Sequence, residues 1–289
     1  MAIQTATTGQ LENAQRILIA ESMYTAEHNA PCKNLIQHMT LGNAKQITLP
    51  TVAQMTAQNL TDGVDFVDSS AIGMTTQDLT TGEIGLKVIL TDKLLRQENE
   101  DVFKIVGRQM GDAHARKVDN DIIALFSALN GGTTLGADNA TLSLTAMGGC
   151  VAYMKAAKAP APISAVHHPN AVANLAMSSA AIGATYYAGI MPGLSDELLR
   201  NFWKMVVSQV NIFEDGNIEK ITGVDSGYGA IFSKDAMCIV EGKAPYTERD
   251  RKPSLRAWEV VMVQDYGVWE INDTYGAPMR HEIGALVTT

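Results

Sequence analysis

The sequence predicts an α+β fold in which one long helix is flanked by β structure. The helix is indicated over residues 91–129, where apolar side chains recur mostly every three or four positions and no proline interrupts the pattern. Strand-like alternation of apolar and polar residues precedes it at 83–90 and returns at 258–263. Helix and strand patterns alternate over 142–213, which inserts an α/β lobe into this frame.

Size, composition and charge limit the classes of function. The chain has 289 residues, of which 46% are hydrophobic and 18% charged, with a formal net charge of -9. A chain of this length is enough for one large domain or two small ones. The acidic balance argues against a basic nucleic-acid reader, but it is compatible with a container whose wall must not grip nucleic acid.

The cysteines and the termini indicate where the protein is made. Three widely spaced cysteines give neither a disulfide framework nor a CxxC metal site, which favours a reducing compartment. The N-terminus lacks the pattern of a signal peptide, and no apolar run reaches the length of a membrane helix. We therefore expect a protein that is made in the cytoplasm and has no membrane partner.

Residues 1–45 are predicted to form an N-terminal arm. A polar leader is followed by an amphipathic helical pattern at 11–27, which Pro31 ends. A short apolar turn around Leu35 then precedes Gly42. Because this segment cannot bury enough surface to be a domain, we interpret it as an arm packed on another part, with a floppy tail as the alternative.

Residues 46–91 predict a two-stranded projection. Strand-like alternation at 46–50 and 83–90 brackets about 30 residues of irregular, polar sequence, a length that is improbable inside a compact domain. We expect the projection to find its packing partner on another chain, whereas a mobile surface hairpin without a partner is the alternative.

The projection is acidic. No lysine or arginine occurs from Gln46 to Leu86, whereas five acidic residues do: Asp62, Asp65, Asp68, Asp78 and Glu83. Such a projection is expected to meet a neighbouring surface that supplies cations. The best local candidate is the run 248–256, which carries Arg249, Arg251, Lys252 and Arg256.

The long helix has a charged outer face and two glycines. About 30 residues at 1.5 Å each give a rod of roughly 45 Å, and Gly131-Gly132 would stop it. Oppositely charged residues lie four apart at Glu100–Lys104, Arg108–Asp112 and Asp112–Arg116. Gly107 and Gly111, one turn apart, each cost about 1 kcal/mol relative to alanine, so we expect another segment to approach the helix closely there.

The remaining elements alternate and then become antiparallel β structure. A helix at 142–158 with Thr145 as the predicted N-cap leads to a strand at 163–166, a helix from Pro169 to about Met177, and a small-residue loop at 178–193. A capped helix is predicted at 195–203. Strands are then predicted at 205–213, 230–232, 236–241, 255–264 and 267–272.

The search for catalytic, cofactor or metal sites gives a negative result. The adjacent His167 and His168 would point in opposite directions on a strand, and the other histidines are scattered. The run GVDSGYG at 223–229 resembles a chymotrypsin-like serine motif, but no histidine context accompanies it and a turn leading into a strand explains it more simply. Phosphate-binding loops of the GxxxxGK[ST] type are absent. We therefore expect no enzyme and no cofactor.

The order of these parts resembles the major capsid proteins of tailed double-stranded DNA bacteriophages, the Hong Kong 97 fold family. That family has an N-terminal arm, an extended E-loop, a long spine helix in a peripheral domain, an axial domain, and a return to peripheral strands. Several local runs also look like phage capsid proteins, namely 24–42, 88–129, 194–203, 210–218, 229–240 and 260–279. By this resemblance the parts are the arm 1–45, the E-loop 46–91, the peripheral domain 92–141, the axial domain 142–242 and the peripheral return strands 243–289.

The resemblance implies a virion shell subunit. Such subunits gather as hexamers and pentamers and close an icosahedral head around double-stranded DNA that is held without sequence recognition. The implied partners are other copies, a portal, and a separate scaffold or decoration protein. Two departures matter: the E-loop carries no lysine from Gln46 to Leu86 for an isopeptide cross-link, and no long N-terminal scaffolding segment precedes the fold-like pattern, so a separate scaffold or a longer chain is expected.

Two alternatives to a phage capsid protein remain, and the candidate site consists of residues that are expected to act in assembly. An encapsulin would cage an enzyme instead of a genome, and a serine hydrolase would use Ser226. The residues expected to act in assembly are Asp62, Asp65, Asp68, Gly107, Gly111, Arg249, Arg251 and Lys252.

Overall fold

The computed structural model describes most of the chain between residues 31 and 286. The described residues are 31–42, 45–52, 73–97, 102–186 and 206–286, with single positions at 55, 57, 59, 62 and 63. The predicted helices at 11–27 and 195–203, the acidic residues Asp65 and Asp68, and Glu100 lie outside them.

The described elements are five α-helices and twelve strands. The helices are α1 (Cys32–Leu35), α2 (Asp92–Gln97), α3 (Val102–Phe126), α4 (Leu144–Ala156) and α5 (Pro169–Tyr186). The strands are β1 (Gln37–Thr40), β2 (Gln46–Val52), β3 (Met74–Thr80), β4 (Gly82–Thr91), β5 (Leu135–Gly136), β6 (Ile163–His167), β7 (Val206–Val207), β8 (Val210–Glu214), β9 (Ser226–Ser233), β10 (Met237–Lys252), β11 (Ala257–Glu270) and β12 (Gly276–Glu282). None of these helices is long and apolar enough to cross a membrane.

A four-stranded sheet of order β1-β10-β11-β4 forms one half of the molecule. Strand β1 pairs in parallel with the start of β10, and the other neighbours are antiparallel. The strand predicted at 236–241 corresponds to the first part of β10, and the distal part of β10, up to Lys252, was not predicted as a strand. It continues as a strand because β11 supplies its partner, and the register shifts between Lys243 and Tyr246, where proline has no N–H to donate.

A six-stranded sheet of order β5-β12-β9-β6-β8-β7 forms the other half. Helices α4 and α5 pack on it through a core that includes Met147, Met154, Val172 and Ile231. Helix α4 is capped by Ser143, whose Oγ accepts from Ala146 N at 3.2 Å, so the prediction of Thr145 as the cap was wrong. Helix α5 begins at Pro169 as predicted, but it continues to Tyr186 through residues that were predicted as a loop.

Strand β12 was not predicted from the sequence. Residues 276–282 were placed with the peripheral return strands, but β12 pairs with β9 and β5 inside the six-stranded sheet. Most of its residues are buried, so no alternation of polar and apolar residues marks it as a strand. The two separate strands predicted at 255–264 and 267–272 are also one strand, β11.

Helix α3 joins the two sheets. Its buried positions Met110, Val118, Ile122 and Phe126 recur at a spacing close to the helical repeat, as the sequence predicted. Val118, Ile122 and Phe126 share a core with residues of β9, β10 and β11, and the ring centroid of Phe126 lies 5.7 Å from that of Phe232 on β9. At 25 residues the helix is about 37 Å long, somewhat shorter than predicted.

Candidate assembly surfaces

The stretch predicted as a two-stranded projection contains a hairpin, but the second predicted strand does not belong to it: residues 83–90 are part of β4, which pairs with β11 in the four-stranded sheet. Strands β2 and β3 form the hairpin, here called the projecting hairpin, and β3 lies in the stretch that was predicted to be irregular. They pair antiparallel from Gln46–Thr80 at the base to Val52–Met74 at the far end. The base is anchored on the body of its own subunit. Leu79 is fully buried against Leu41, Cys238 and Val240.

Hydrogen bonds fix the base as well. Gln77 Nε2 donates to Glu270 O at 2.9 Å, and Trp269 Nε1 donates to Thr80 O at 2.9 Å. Both acceptors belong to backbone, so the hairpin leaves the body at a defined position. Its far half is exposed, because residues 50–52 and 74–76 are all accessible to solvent. The projecting hairpin therefore has a rigid root and an uncovered end.

The exposed end of the projecting hairpin is apolar, which the sequence analysis missed. Val52 and Met74, a cross-strand pair, are 57% and 62% exposed, and Met55 is 53% exposed. Clustered exposed apolar side chains on a soluble protein commonly mark interaction sites. Isolated valine and methionine residues in a polar stretch have no periodicity, so only their pairing across strands reveals the cluster.

The predicted basic run lies at the turn between β10 and β11, here called the basic turn (residues 249–256). Arg249, Arg251 and Arg256 are exposed and Lys252 is half-buried. Arg256 has φ +47° and closes a 3₁₀ turn that begins at Pro253. The structure therefore gathers the four cations at one end of the four-stranded sheet.

The basic turn is attached to the start of α2 through Asp92. Arg251 Nη2 donates to Asp92 Oδ2 at 3.1 Å, and Asp92 N donates to Arg256 O at 2.8 Å. Lys252 Nζ lies 2.8 Å from Asp250 Oδ2 and 3.9 Å from Glu259 Oε2. At least one side chain of each ion pair is 43% exposed or more, so each pair contributes little to the stability of the subunit.

The acidic residues of the projecting hairpin are only partly described. Asp78 accepts from Thr48 Oγ1 at 2.6 Å near the base. Asp62 belongs to the described positions, whereas Asp65 and Asp68 do not. Among the described residues of one subunit, neither Asp62 nor Asp78 forms an ion pair with the basic turn.

Gly107 and Gly111 lie on the outer part of α3. A Cβ built at either glycine would meet no atom within 4 Å among the described residues. The close approach expected at these glycines is therefore not made by a described segment of the same subunit, and it stays a prediction about contact with another copy.

Gly107→Ala separates these two explanations. If another subunit packs on the glycine, the variant will assemble poorly, while the unassembled subunit gains up to about 1 kcal/mol of helix stability. Thermal unfolding of the free subunit and light scattering during assembly measure the two effects. Asn120→Ala, at an exposed position farther along α3, is the control. Normal assembly of Gly107→Ala would mean that the glycine is merely tolerated.

The run GVDSGYG is structural. Ser226 is fully buried at the start of β9, and its Oγ accepts from Asn139 N at 2.8 Å. A Cβ at Gly229 would clash with the ring of His167, so this glycine makes room for a buried imidazole. A serine in this position is not presented to a substrate.

Comparison with solved structures defines the fold. The chain is similar to a chain from Mycobacterium phage Che8, with a TM-score of 0.63, 15% identity, and coverage of 82% of this chain and 85% of that one. For the capsid of the native GTA particle the TM-score is 0.66, with 12% identity and coverage of 88% and 90%. For the capsid of Ralstonia phage GP4 the values are 0.65, 12%, 88% and 89%. The chain thus has the Hong Kong 97-type capsid fold, as predicted.

The family follows from the sequence itself. A family model described as phage capsid protein matches residues 74–277. The chain belongs to the phage capsid protein family, and its place is the shell of the virion. A search of curated proteins gave no match.

Proposed function

We propose that this capsid protein assembles as hexamers and pentamers into an icosahedral shell that encloses double-stranded DNA, with the projecting hairpin lying over an adjacent subunit. The observation that carries the proposal is the contrast between its buried root at Leu79 and its exposed apolar end at Val52 and Met74. A hairpin that is fixed at one end and uncovered at the other is suited to an intermolecular contact.

The basic turn is the proposed landing surface. It presents three exposed arginines on a chain with a net charge of -9, so it is a local exception to the acidic balance. Opposite charges at the rim of an interface orient the partners, while burial of the apolar end supplies affinity. One such contact is modest, but a closed shell repeats it at every subunit.

Each segment of the chain is assigned to one part of the capsid fold. In this proposal residues 1–45 are the arm, 46–91 the E-loop, 92–141 the peripheral domain with its spine helix, 142–242 the axial domain and 243–289 the peripheral return. Because β12 pairs with β9, we propose that residues 276–282 belong with the axial domain instead of the peripheral return strands. The portal and a separate scaffold or decoration protein are proposed partners, and the E-loop residues 46–86 contain no lysine for a cross-link.

The proposed role is non-enzymatic. The family is a structural one, and the serine that the sequence made a candidate is buried and hydrogen-bonded to backbone. The encapsulin alternative is not favoured, because the matching family is that of phage capsids.

Nuclease protection tests the cargo. Particles isolated from infected cells are treated with nuclease and examined for nucleic acid and for protein cargo. The proposal expects protected double-stranded DNA of genome length. Particles that hold a protein cargo and no DNA would contradict it.

A further inference from the structure

Two buried aspartates meet where the start of the described chain contacts α3. Asp119 on α3, Asp215 after β8 and Cys32 at the start of α1 are all fully buried. One oxygen from each carboxylate and the Cys32 sulfur lie within 4.8 Å of one another. Three segments that are distant in sequence therefore join through one polar cluster inside an apolar core.

The hydrogen bonds of the cluster attach Cys32 to both aspartates. Cys32 N donates to Asp119 Oδ1 at 3.2 Å, and Cys32 Sγ donates to Asp215 Oδ2 at 3.4 Å. Asn217 binds both carboxyl groups as well, through Nδ2 to Asp119 Oδ2 at 3.0 Å and through its backbone N to Asp215 Oδ1 at 2.9 Å. Every donor in this set is neutral, so the hydrogen bonds do not cancel the charge of two carboxylates.

The cations and imidazoles around the cluster are engaged elsewhere. On α1, Lys33 pairs with Glu241 at 2.6 Å, and on α3, Lys117 pairs with Asp121 at 2.5 Å. On β6, the carbonyl of His167 accepts from Asp215 N, while its ring lies 5.8 Å from that of His281. His168 follows His167, and its backbone N donates to His167 Nδ1. Burial keeps the pKa of His167 low, at about 3, so this ring supplies no positive charge at neutral pH.

We propose that Asp119 and Asp215 share one proton and form a pH-sensitive latch that holds Cys32, and with it helix α1, against α3. Two ionised carboxylates buried side by side repel one another, and each also loses its hydration. One proton removes one charge and provides the donor for a hydrogen bond between the two groups. Loss of the proton weakens the contact between α1 and α3.

The direction of the pH effect follows from the pKa of Asp119. Burial, and then the hydrogen bond with Asp215, raise this pKa to about 7, from 3.8 for an ordinary aspartate. The latched form therefore keeps its proton over a range in which an opened form has lost it. The stability of the latch is complete below pH 4, falls as the pH rises to about 7, and stays low above that.

The accessibility of Cys32 reports the state of the latch. The full-length protein carries two other buried thiols, Cys150 and Cys238, which serve as internal references for the ordinary rise of thiol reactivity with pH. Each cysteine is labelled with a pyridyl disulfide between pH 4.5 and pH 8.5, and labelling rates are obtained from peptide masses. We expect the rate ratio of Cys32 to Cys238 to rise by up to about tenfold per pH unit below pH 7 and to level off above it.

Two variants decide whether the shared proton is responsible. Asp119→Asn supplies an N–H donor that needs no proton, so its ratio is expected to stay flat with pH. Asp121→Asn, on the same helix but hydrogen-bonded to Tyr266 instead of to the cluster, is the matched control and should keep the wild-type rise. A flat ratio in the wild-type protein, or an unchanged rise in Asp119→Asn, would overturn the proposal. The proposal would also be overturned if the ratio of the labelling rates fell on addition of Zn²⁺ and did not change with pH. In that case a bound cation, and not a shared proton, would hold the cluster together.

Discussion

Arg251→Glu combined with Lys252→Glu is expected to prevent normal shell assembly. The double variant replaces two positive charges by two negative ones on the surface where an acidic neighbouring hairpin is proposed to land. A cost of about 1.4 kcal/mol per contact would raise the protein concentration needed for assembly about tenfold. Light scattering against protein concentration, at low and high salt, measures this quantity.

The control must separate assembly from folding, because both residues also pair within their own subunit, with Asp92 and with Asp250. Arg251→Gln with Lys252→Gln loses the same internal pairs without adding negative charge, so its effect on assembly should be intermediate. Thermal unfolding of the free subunits should differ little between the two variants, since exposed ion pairs contribute about 0–1 kcal/mol each. Normal, salt-resistant particles from the glutamate variant would show that the basic turn is not part of the interface.

Met74→Asp is expected to abolish or greatly weaken assembly while the subunit stays folded. Met74 is 62% exposed in the free chain, so its replacement should change the free energy of unfolding by no more than about 0.5 kcal/mol. Buried under a neighbouring subunit, the same side chain would contribute roughly 1.5–3 kcal/mol, and an aspartate there would also lose its hydration. Sedimentation velocity should therefore show folded, unassembled protein.

Thr75→Asp is the matched control for Met74→Asp. It adds the same charge at the next position of β3, where Thr75 Oγ1 is hydrogen-bonded to Thr51 Oγ1 at 2.7 Å and the side chain points to the other face of the hairpin. It should assemble considerably better than Met74→Asp. Equal behaviour of the two variants would mean that charge, and not burial of the apolar end, controls the result.

Local periodicity explains what the sequence could predict. Met110, Val118, Ile122 and Phe126 repeat at helical spacing, and the pattern reveals the helix because one face of it is buried. Strand β4 alternates for a similar reason, as only one of its faces is covered over residues 83–88. Strand β12 is buried almost throughout and does not alternate, so it gave no signal.

The contacts that the sequence could not predict are long-range. Asp119 looks like any polar residue of an amphipathic helix, and its partner Asn217 lies 98 residues away. The apolar end of the projecting hairpin depends on the register that places Val52 opposite Met74. The basic turn, by contrast, could be predicted because its four cations lie close together in the sequence, between Arg249 and Arg256.

The central claim is that the subunit is completed by overlap with other copies of itself, and cryo-electron microscopy of the assembled particle tests it most directly. The account predicts Val52 and Met74 in van der Waals contact with an adjacent subunit, with the basic turn of a neighbour beside the acidic part of the projecting hairpin. A projecting hairpin that is folded back on its own subunit, or that points into solvent with no neighbour in contact, would contradict it.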